Sequence, residues 1–495
     1  MTESLKEVNK IMESTDVNVN HKLVHLDLKG APPKLEYLEK IFPLLRKWGT
    51  TGLLVEYEDS FPYSEALTVL RARDSYSMED ILTLQRLAEE NELIVVPLVQ
   101  TFGHMEFVLK HSKFQRVREV VNFPMALCPS NPDSLQLVCT MVDQVMAAHS
   151  NLQWFHVGCD EVYHLGICDE CRRRQLEDGL SPEQIFLQHV KNVAQHVRDN
   201  YPSVTPIVWD DMFRCTDLDV LKDSGLGGLV EPMVWHYLTS FQLPADFWEK
   251  LSAVFPTIWV ASAFKGATGS RACVSSVAYH LENHNTWLST LRAEQHRFTT
   301  IRGFALTGWQ RYDHYAVLCE LLPQALPCLS ICLQTLEKGS YTADIHQNVS
   351  SDLGFTSLLP LNPFTCTVIP NCSYPGAAVY QLMIEYAFLE AHCDRFISSD
   401  GCLTWMNDYN IKRNFTNPVH LEPIFSAASA KLQQLEDIKI KLSAELSSMF
   451  SDNTVEEWLA THLQPLIDKI RRCEQTAGQQ LAIGLGDDTT ESGNS

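Results

Sequence analysis

The sequence is poor in basic residues and has no long hydrophobic run. Its 495 residues include 39 Lys and Arg against 61 Asp and Glu, which gives a formal net charge of −22 at pH 7. Such a surface repels phosphate backbones and anionic lipid headgroups. No stretch of about 18 apolar residues is present that could cross a membrane. The sequence therefore predicts neither a nucleic-acid partner nor a membrane partner.

A secretory signal and a cysteine framework are also missing. The first twenty residues are polar and charged, without the apolar segment of a signal peptide. The 15 cysteines are scattered without regular spacing, which favours reduced thiols. We therefore expect a location in the cytosol or nucleus, and secretion by an unconventional route is left open. Neither a Gly-rich phosphate loop nor a G-x-S-x-G nucleophile motif occurs.

What the sequence does have is a repeating pattern of short, mostly apolar runs. Such runs are typical of strands that are buried on both faces of a parallel sheet. They lie at residues 23–28, 52–55, 93–100, 154–158, 205–209, 229–235, 257–263 and 303–307. Helical segments separate several of them, and capping boxes begin at Ser77 and Ser181. Eight strands alternating with helices predict an α/β fold of the (β/α)8 TIM-barrel type.

The pattern changes after Cys332 and predicts a second region. Residues 339–375 look irregular, and an apolar stripe at helical spacing then runs from Leu432 to Met449. Thr454 is expected to cap a further helix, which Pro465 would interrupt. We predict a flexible segment at 1–21, the barrel at 22–332, a mainly helical C-terminal region at 333–485 and a disordered acidic tail at 486–495. The helical region would pack on the barrel or on a second subunit.

Functional groups in such a barrel come from the carboxyl ends of the strands and the loops that follow them. In this sequence those positions are rich in carboxylates and tryptophans. Carboxylates can move protons, and indole rings offer flat apolar faces to the C–H side of a sugar ring. The composition of these loops therefore indicates acid/base chemistry on a carbohydrate.

The sharpest motif lies where the fourth predicted strand ends. It reads His-Val-Gly-Cys-Asp-Glu over residues 156–161 and closes with the adjacent acids Asp160 and Glu161. Two neighbouring carboxylates in one closed pocket cannot both ionise cheaply, so their pKa values should separate. We therefore expect one of them to hold a proton as a general acid while the other carries the negative charge.

Several motifs, in this order, resemble glycoside hydrolase family 20, the β-N-acetylhexosaminidases. The string at 156–161 is similar to the family signature His-x-Gly-x-Asp-Glu. Further similar segments are VHLDLKGAP at 24–32, QTFGHME at 100–106, VWDD at 208–211 and TGWQRYD at 307–313. The resemblance runs from residue 23 to about residue 322 and is weaker in the C-terminal region.

The resemblance implies an exo-acting enzyme that removes terminal β-linked N-acetylhexosamine (GalNAc or GlcNAc) from a glycoconjugate or oligosaccharide. It implies substrate-assisted retaining catalysis through an oxazolinium intermediate, without cofactor or metal. Glu161 would be the general acid and base, and Asp160 would orient the acetamido N–H and stabilise developing positive charge. Further residues implied to form the substrate site are Asp27, Lys29, His104, His156, Trp209, Trp235, Tyr237, Trp309, Arg311 and Asp313.

The chain departs from the family pattern in the residues that recognise the sugar. Cys159 stands where many members have Gly, and Arg311 stands where many have Glu. The family's first-strand Arg has no exact counterpart, and Asp27 and Lys29 are the nearest candidates. Tyr237 is the candidate for the tyrosine that contacts the acetamido oxygen.

Two further motifs admit a catalytic or metal-binding interpretation. Asp210 and Asp211 form a second acidic pair at a strand end, and another substrate-assisted group, the O-GlcNAc hydrolases, uses an Asp-Asp pair. We favour the interpretation in which one of these residues orients a neighbour or caps a helix. Cys168 and Cys171 have the spacing of one half of a zinc site, and no second half is evident. Since zinc needs four ligands, ordinary reduced thiols are the favoured interpretation.

Two other functions remain as alternatives. A metal-dependent TIM-barrel hydrolase would need paired histidines at H-x-H or H-x-x-x-H spacing, which the region lacks. Its candidate ligands would be His25, His104, His156, His236, Glu56 and Asp160. A non-catalytic glycan-binding barrel would keep the Trp-lined cleft, but the intact acid pair argues against it. Apolar stripes on the C-terminal helices are more typical of core than of interface, so a homodimer is a further hypothesis.

Overall fold

A closed barrel of parallel strands forms the centre of the structure, a computed structural model that describes residue 17, residues 19–365 and residues 368–484. The strands of this described part are β1 (His21–Asp27), β2 (Gly52–Glu56), β3 (Ile94–Leu98), β4 (Arg118–Val120), β5 (Phe123–Leu127), β6 (Trp154–His156), β7 (Thr205–Trp209), β8 (Glu231–Trp235), β9 (Thr257–Lys265) and β10 (Thr300–Gly308). The barrel order is β1, β2, β3, β6, β7, β8, β9 and β10, and β10 pairs back with β1. β4 and β5 form a separate antiparallel hairpin. Each predicted apolar run overlaps one barrel strand, so the TIM-barrel prediction is confirmed.

Helices follow most barrel strands and then make up the C-terminal region. Along the described chain they are α1 (Leu35–Lys47), α2 (Met78–Glu90), α3 (Glu106–Leu109), α4 (Pro132–Ala147), α5 (Asp169–Glu177), α6 (Pro182–Asn200), α7 (Leu218–Asp223), α8 (Phe247–Ser252), α9 (Val277–Glu294), α10 (Leu322–Lys338), α11 (Ala343–Asp352), α12 (Ala377–Ile397), α13 (Asp400–Trp405), α14 (Asp408–Ile411), α15 (Pro418–Ser447), α16 (Asp452–Trp458) and α17 (Gln464–Gly484). A π-helical turn, Leu459–Leu463, joins the last two. The two predicted capping boxes are present at the starts of α2 and α6.

The hydrophobic core has an inner and an outer part. The inner part fills the barrel with side chains such as Leu54, Trp259 and Ala305, so the barrel has no through-pore. The outer part lies between strands and helices and continues into the C-terminal region through residues such as Leu435 and Ile470. The C-terminal helices therefore share one core with the barrel. Each fully buried Leu or Ile side chain in this core contributes about 1.5–3 kcal/mol to stability.

The C-terminal region packs on its own barrel, which was one of the two predicted arrangements. Pro33, in the loop after β1, forms a β-bridge with Phe450. Thr454 Oγ1 donates a hydrogen bond of 2.9 Å to the carbonyl of Gly30 in the same loop. This contact places the start of α16 beside the carboxyl end of the barrel, where the functional groups are expected.

Two local expectations for the C-terminal region were wrong. The helix after α15 is capped by Ser451, whose hydroxyl accepts from the N–H of Thr454, so Thr454 lies inside the helix. The stretch expected to be irregular contains α11, which begins after the capping residue Thr342. Most of the predicted N-terminal segment (1–16 and 18) and the predicted acidic tail lie outside the described residues. Within the part of the chain that is described, no helix is long and apolar enough to cross a membrane.

Candidate active site

A cavity of about 420 Å³ opens at the carboxyl ends of the barrel strands. This volume lies in the range of small-molecule sites. Its walls come from the loops after β1, β3, β6, β7, β8, β9 and β10. The lining residues are Lys29, Gln100, His104, Asp160, Glu161, Trp209, Trp235, His236, Tyr237, Leu238, Gly266, Ala267, Trp309, Arg311 and Tyr312.

The structure brings nine of the twelve predicted site residues to this cavity. The three that do not line it are Asp27, His156 and Asp313. Asp27 is buried, and its carboxylate accepts hydrogen bonds from the backbone N–H groups of Lys29 and Gln310, at 3.0 and 2.7 Å. Its geometry therefore fits a role in holding the loops after β1 and β10 together, not a direct contact with a ligand.

His156 and Asp313 are occupied in other ways. The ring of His156 is fully buried beneath Trp209, with 4.4 Å between ring centroids, and burial lowers the pKa of His156 to about 3. It is therefore neutral, and its Nδ1 accepts a 3.0 Å hydrogen bond from the backbone N–H of Gly158. Asp313 accepts hydrogen bonds from the N–H groups of Tyr315 and Ala316, which shapes its own loop.

The loop after β6 holds the acid pair in an unusual backbone conformation. Gly158, Cys159 and Glu161 have φ angles of +67°, +70° and +48°. A side chain in this left-handed region costs roughly 1–2 kcal/mol, and such strain tends to occur at functional sites. The departure from the family pattern at Cys159 thus falls on a position whose backbone favours glycine.

Glycines allow the loops after β3 and β6 to touch. A Cβ atom at Gly103 would lie 2.1 Å from the carbonyl oxygen of Asp160, and one at Gly158 would lie 2.0 Å from Gln100 Oε1. Real Cβ atoms cannot approach so closely. This contact fixes Asp160 relative to His104, the residue that follows Gly103.

His104 joins the two acids. Its Nε2 lies 3.1 Å from Glu161 Oε2 and 3.5 Å from Asp160 Oδ2. Burial disfavours the charged imidazole, but the negative charge of Asp160 and the hydrogen bond to Glu161 outweigh it and raise the pKa of His104 to about 10. His104 is therefore positively charged at neutral pH and donates to Glu161.

The pKa values of the two acids separate, but in the sense opposite to the expected roles. Hydrogen bonds from His104 and from Tyr163, whose hydroxyl is 2.6 Å from Oε1, lower the pKa of Glu161 against the effect of its burial. Burial raises the pKa of Asp160. In this structure the proton of the cluster therefore belongs to His104 and not to Glu161. The dipeptide alone could not reveal this, because both donors come from outside it.

One oxygen of Asp160 has no partner in the protein. Oδ1 is buried without a hydrogen bond from any described residue, although Asp160 lines the cavity. Gln100 Oε1 and Trp209 Nε1, which belong to two other lining residues, are buried without partners as well. Buried polar atoms are nearly always hydrogen-bonded, so these atoms mark positions where a polar ligand would be recognised.

The second acidic pair supports the first. Asp211 accepts a 2.9 Å hydrogen bond from the backbone N–H of Glu161 and a 3.1 Å bond from Trp235 Nε1. Burial, with the charges of Asp160 and Asp210 adding to it, raises the pKa of Asp211 to about 7. Asp210 forms two hydrogen bonds with Arg214, at 2.7 and 2.8 Å. Both contacts fit the orienting interpretation of this pair.

Lys29 is the buried cation of the cavity floor. Its Nζ is 3.3 Å from carboxylate oxygens of Asp27 and Glu56 and lies 5.0 Å from the ring centroid of Trp309. Burial works against its charge, but Asp27, Glu56 and Glu58 outweigh this and raise the pKa of Lys29 well above its usual value. The group is a fixed positive charge beside an aromatic wall.

Four aromatic rings form that wall. Trp235 and Tyr237 stack at 5.1 Å, and Trp309 stands 6.1 Å from Trp209 and 6.4 Å from Tyr237. Burial raises the pKa of Tyr237, so its hydroxyl stays protonated and can donate a hydrogen bond. Flat apolar faces with one hydroxyl donor suit a small amphipathic ligand such as a sugar.

Arg311 lines the cavity, but its guanidinium is already paired. Nη1 and Nη2 donate to the two carboxylate oxygens of Glu457 in α16, at 2.5 and 2.6 Å. Its Nε donates to the carbonyl of Lys29 at 3.3 Å. The C-terminal region therefore holds a residue at the rim of the cavity, a contact that no sequence pattern indicated.

Six lining residues were not assigned to the sugar site from the sequence, and they come from the same strand ends as those that were; His236 was considered only as a metal ligand. Gln100 follows β3; His236 and Leu238 follow β8; Gly266 and Ala267 follow β9; Tyr312 follows β10. Their position after a predicted strand was the available signal. The aliphatic and glycine members carry no chemical signature that would have distinguished them.

The histidine and acid set considered for a metal-dependent hydrolase does not converge. Two groups of possible metal ligands occur among the described residues, one of Glu119, Cys128, Cys168 and Cys171 and the other of Glu58, Asp59 and His314. Neither contains a member of the six-residue set. Lys29 and Lys110 already lie within 3.7 Å of the acids of the second group.

Comparison with known proteins defines the class. The sequence profile "Glycosyl hydrolase family 20, catalytic domain" matches residues 40–236. The chain is 43% identical to human hexosaminidase D over 469 residues, which cover 94% of this chain and 96% of the relative. It therefore belongs to glycosyl hydrolase family 20 and is a glycosidase.

Further relatives are similar in sequence or in fold. The chain is 48% identical over 340 residues to hexosaminidase D from Bos taurus, covering 68% of this chain and 98% of that protein. A solved β-N-acetylhexosaminidase from Bacteroides fragilis superposes with a TM-score of 0.51 at 13% identity, covering 68% of this chain and 70% of that one. The latter is a likeness of fold.

Proposed function

We propose that this glycosidase is an exo-acting β-N-acetylhexosaminidase that uses the substrate's own acetamido group as nucleophile. The observation that carries the proposal is the buried, unpartnered Oδ1 of Asp160 beside Glu161. A carboxylate oxygen in that position fits an amide N–H as donor, which is the group a 2-acetamido sugar presents. The hexosaminidase name of the human relative, which matches 94% of this chain, supports the same function.

In the first step, the acetamido oxygen attacks the anomeric carbon and forms a new C–O bond as the glycosidic C–O bond breaks. Glu161 gives a proton to the departing oxygen, so the leaving group departs as a neutral alcohol. Asp160 accepts the acetamido N–H and stabilises the positive charge of the oxazolinium. In the second step Glu161 removes a proton from water, which attacks the same carbon and restores the acetamido group with retained configuration.

We further propose that His104 transfers its Nε2 proton to Glu161 before the first step. Glu161 begins as the carboxylate, and the His104 Nε2–H lies 3.1 Å from its Oε2. One transfer along this hydrogen bond turns Glu161 into the acid and leaves a neutral imidazole. The proton returns when Glu161 deprotonates water, so the cycle balances.

The proposal is tested with Glu161→Gln and Asp160→Asn on aryl β-N-acetylglucosaminides and galactosaminides of graded leaving-group pKa. Glu161→Gln should lose kcat/KM by about 10²–10⁴-fold on poor leaving groups and much less on good ones, because only poor ones need the acid. Asp160→Asn should lose about 10²–10³-fold on all of them. Full activity of Glu161→Gln would refute the assignment.

Two controls sharpen the test. Glu89→Gln, an exposed carboxylate on α2, should leave the rates unchanged. Asp211→Asn should lower kcat less than Glu161→Gln does, because Asp211 orients Glu161 and Trp235; the reverse order would favour the Asp-Asp alternative.

Stable mimics of the oxazoline should inhibit competitively, and insensitivity to them would remove the neighbouring-group step.

We also propose that the natural substrate is a glycoconjugate or oligosaccharide in the cytosol or nucleus, and that the chain binds neither nucleic acid nor membranes. The net charge of −22 supports the absence of nucleic-acid and membrane binding, because such a surface repels phosphate groups. The chemistry above uses groups of the protein and the substrate, so we propose no cofactor. Fractionation of cells that express the tagged chain tests the location. Light scattering after size exclusion tests the homodimer hypothesis.

A further inference from the structure

A cluster of three cysteines and one glutamate lies outside the cavity. Glu119 is in β4, Cys128 directly follows β5, and Cys168 and Cys171 stand at the start of α5. Their potential ligand atoms all lie within 4.8 Å of one another, and three of the four residues are buried. The sequence had revealed the Cys-x-x-Cys half of this group, and the fold supplies the other half from the β4–β5 hairpin.

We propose that Glu119, Cys128, Cys168 and Cys171 bind one zinc ion, which fastens the β4–β5 hairpin to the loop that carries Asp160 and Glu161. Zinc prefers four ligands in a tetrahedron and takes thiolate sulfur and carboxylate oxygen. Four ligands from three separate segments are what a closed structural site requires.

The distances fit such a site. Cys128 Sγ is 3.3 Å from Cys168 Sγ and 3.7 Å from Cys171 Sγ, and Cys171 Sγ is 3.3 Å from Glu119 Oε2. Zinc–sulfur bonds of about 2.3 Å at tetrahedral angles separate two sulfurs by about 3.8 Å and a sulfur from an oxygen by about 3.5 Å. The sulfurs are too far apart for a disulfide, which needs about 2.05 Å.

The surroundings orient the ligand atoms. The N–H groups of Ile167 and Cys168 donate to Glu119 Oε1, at 2.6 and 3.0 Å, which leaves Oε2 directed at the sulfurs. The N–H of Cys171 lies 3.3 Å from Cys168 Sγ and donates to it. Outer hydrogen bonds of this kind are a regular feature of metal sites.

A hydroxyl and a cation complete these surroundings. Arg174 Nη1 donates to Ser130 Oγ at 3.3 Å, so the Ser130 hydroxyl is free to donate to Cys171 Sγ, which lies 3.1 Å away. The positive end of α5 and Arg174 also offset the negative charge that three thiolates and a carboxylate would keep around a divalent ion. Glu119, Cys168 and Cys171 thus each receive a hydrogen bond from a backbone N–H or a hydroxyl group.

The first test measures metal in the full-length protein, made without added zinc and desalted under reducing conditions. Mass spectrometry of the metal content should find about one zinc per chain. Cys168→Ser should lose it, whereas Cys215→Ser, which removes an exposed cysteine outside the cluster, should keep it. A metal-free wild type that also takes up none from micromolar zinc chloride would overturn the proposal, as would unchanged zinc in folded Cys168→Ser.

A second test does not depend on the folding of a cysteine variant. Wild type loaded with cobalt(II) should show the intense visible absorption of tetrahedral thiolate coordination. Glu119→Gln keeps all three thiols and should weaken zinc binding by about tenfold or more in competition with a chromogenic chelator. Absence of that absorption would refute the proposed tetrahedral thiolate site.

The proposed zinc ion is structural and not catalytic. None of the four residues lines the cavity. Activity should therefore survive brief contact with a chelator and fall only as the metal leaves, in step with a lower melting temperature. Instant loss of turnover without any change in melting temperature would contradict the structural role assigned here.

Discussion

His104 decides where the proton of the acid pair resides. Its Nε2 reaches both Asp160 and Glu161, and their charges raise its pKa to about 10. The folded-state pKa is thus above the ordinary histidine value of about 6.5. By linkage, the contribution of this proton to stability is complete below that ordinary value and is lost as the pH rises towards 10.

The first prediction concerns His104→Gln. Without the imidazolium, the proton of the acid pair is held by carboxylates alone, so the alkaline limb of the kcat/KM profile should move down by about one pH unit or more. The decline of unfolding free energy above pH 7 should also become shallower. Rates from pH 4 to 10 and urea unfolding at two pH values measure these effects. An unmoved alkaline limb would show that His104 does not hold this proton.

A matched control is His196→Gln, which removes another histidine that contacts a carboxylate. His196 Nε2 lies 2.8 Å from Asp143, and neither residue lines the cavity. Its loss should leave the pH profile of kcat/KM unchanged. A shift in this variant as large as that of His104→Gln would assign the effect to general destabilisation.

At the scale of single residues, residue type and position predicted most of the residues that line the cavity, but not which of them hold a proton. Asp160, Glu161 and the tryptophans lie at or just after the ends of predicted strands and could be named. The direction of the proton asymmetry depends on His104 and on the hydroxyl of Tyr163, whose approach to Glu161 is a matter of loop geometry. Asp27 follows a strand equally well, yet its oxygens are used by backbone N–H groups.

Among the elements, the loops after β3 and β6 act as one unit because Gly103 permits their contact. The prediction is that Gly103→Ala lowers kcat by tenfold or more, since its Cβ would meet the carbonyl of Asp160 at 2.1 Å and displace that residue. Gly228→Ala, where a Cβ would meet nothing within 4 Å, is the control and should be near neutral. Kinetics on an aryl substrate and thermal unfolding measure both. Wild-type kcat in Gly103→Ala would show that this contact does not position Asp160.

Strands and caps were predictable because local patterns determine them. An apolar run of four to eight residues and a Ser-x-x-Asp or Ser-x-x-Gln box carry their signal within one segment. The β4–β5 hairpin was missed because β4 has three residues and little pattern of its own. The first residue of α16 was also misplaced, since Ser451 and Thr454 are both good caps and tertiary contacts decided between them.

On the scale of the whole molecule, Arg311 and Glu457 join the barrel rim to the C-terminal region. The prediction is that Glu457→Gln lowers the free energy of unfolding by about 1–3 kcal/mol, less than for a fully buried pair because Glu457 is about one-third exposed. KM should rise as well, since Arg311 lines the cavity. Asp394→Asn breaks an exposed pair with Lys469 and should cost about 1 kcal/mol or less. Equal losses of unfolding free energy in the two variants would show that the Arg311–Glu457 pair stabilises the protein no more than an exposed ion pair does.

A last prediction follows from the shared core. A chain that ends at Lys338 would expose the apolar faces that pack against α12, α15 and α17, so it should be insoluble or unfolded and inactive. Expression of residues 1–338 beside the full chain, with circular dichroism and an activity assay, tests this. A soluble and fully active fragment would show that the barrel is an independent unit. The predicted division at residue 332 remains to be tested in the same way.

The position of Glu457 has a consequence for biosynthesis. Proteins emerge from the ribosome amino end first, and the barrel strands are all made before residue 310, whereas the carboxylate that completes the rim arrives almost 150 residues later. A nascent chain can therefore contain every strand of its barrel and still lack Glu457, which pairs with Arg311 at the rim of the cavity. We therefore expect sugar cleavage to become available only near the end of translation, and premature termination late in the message to abolish it while the acid pair stays intact.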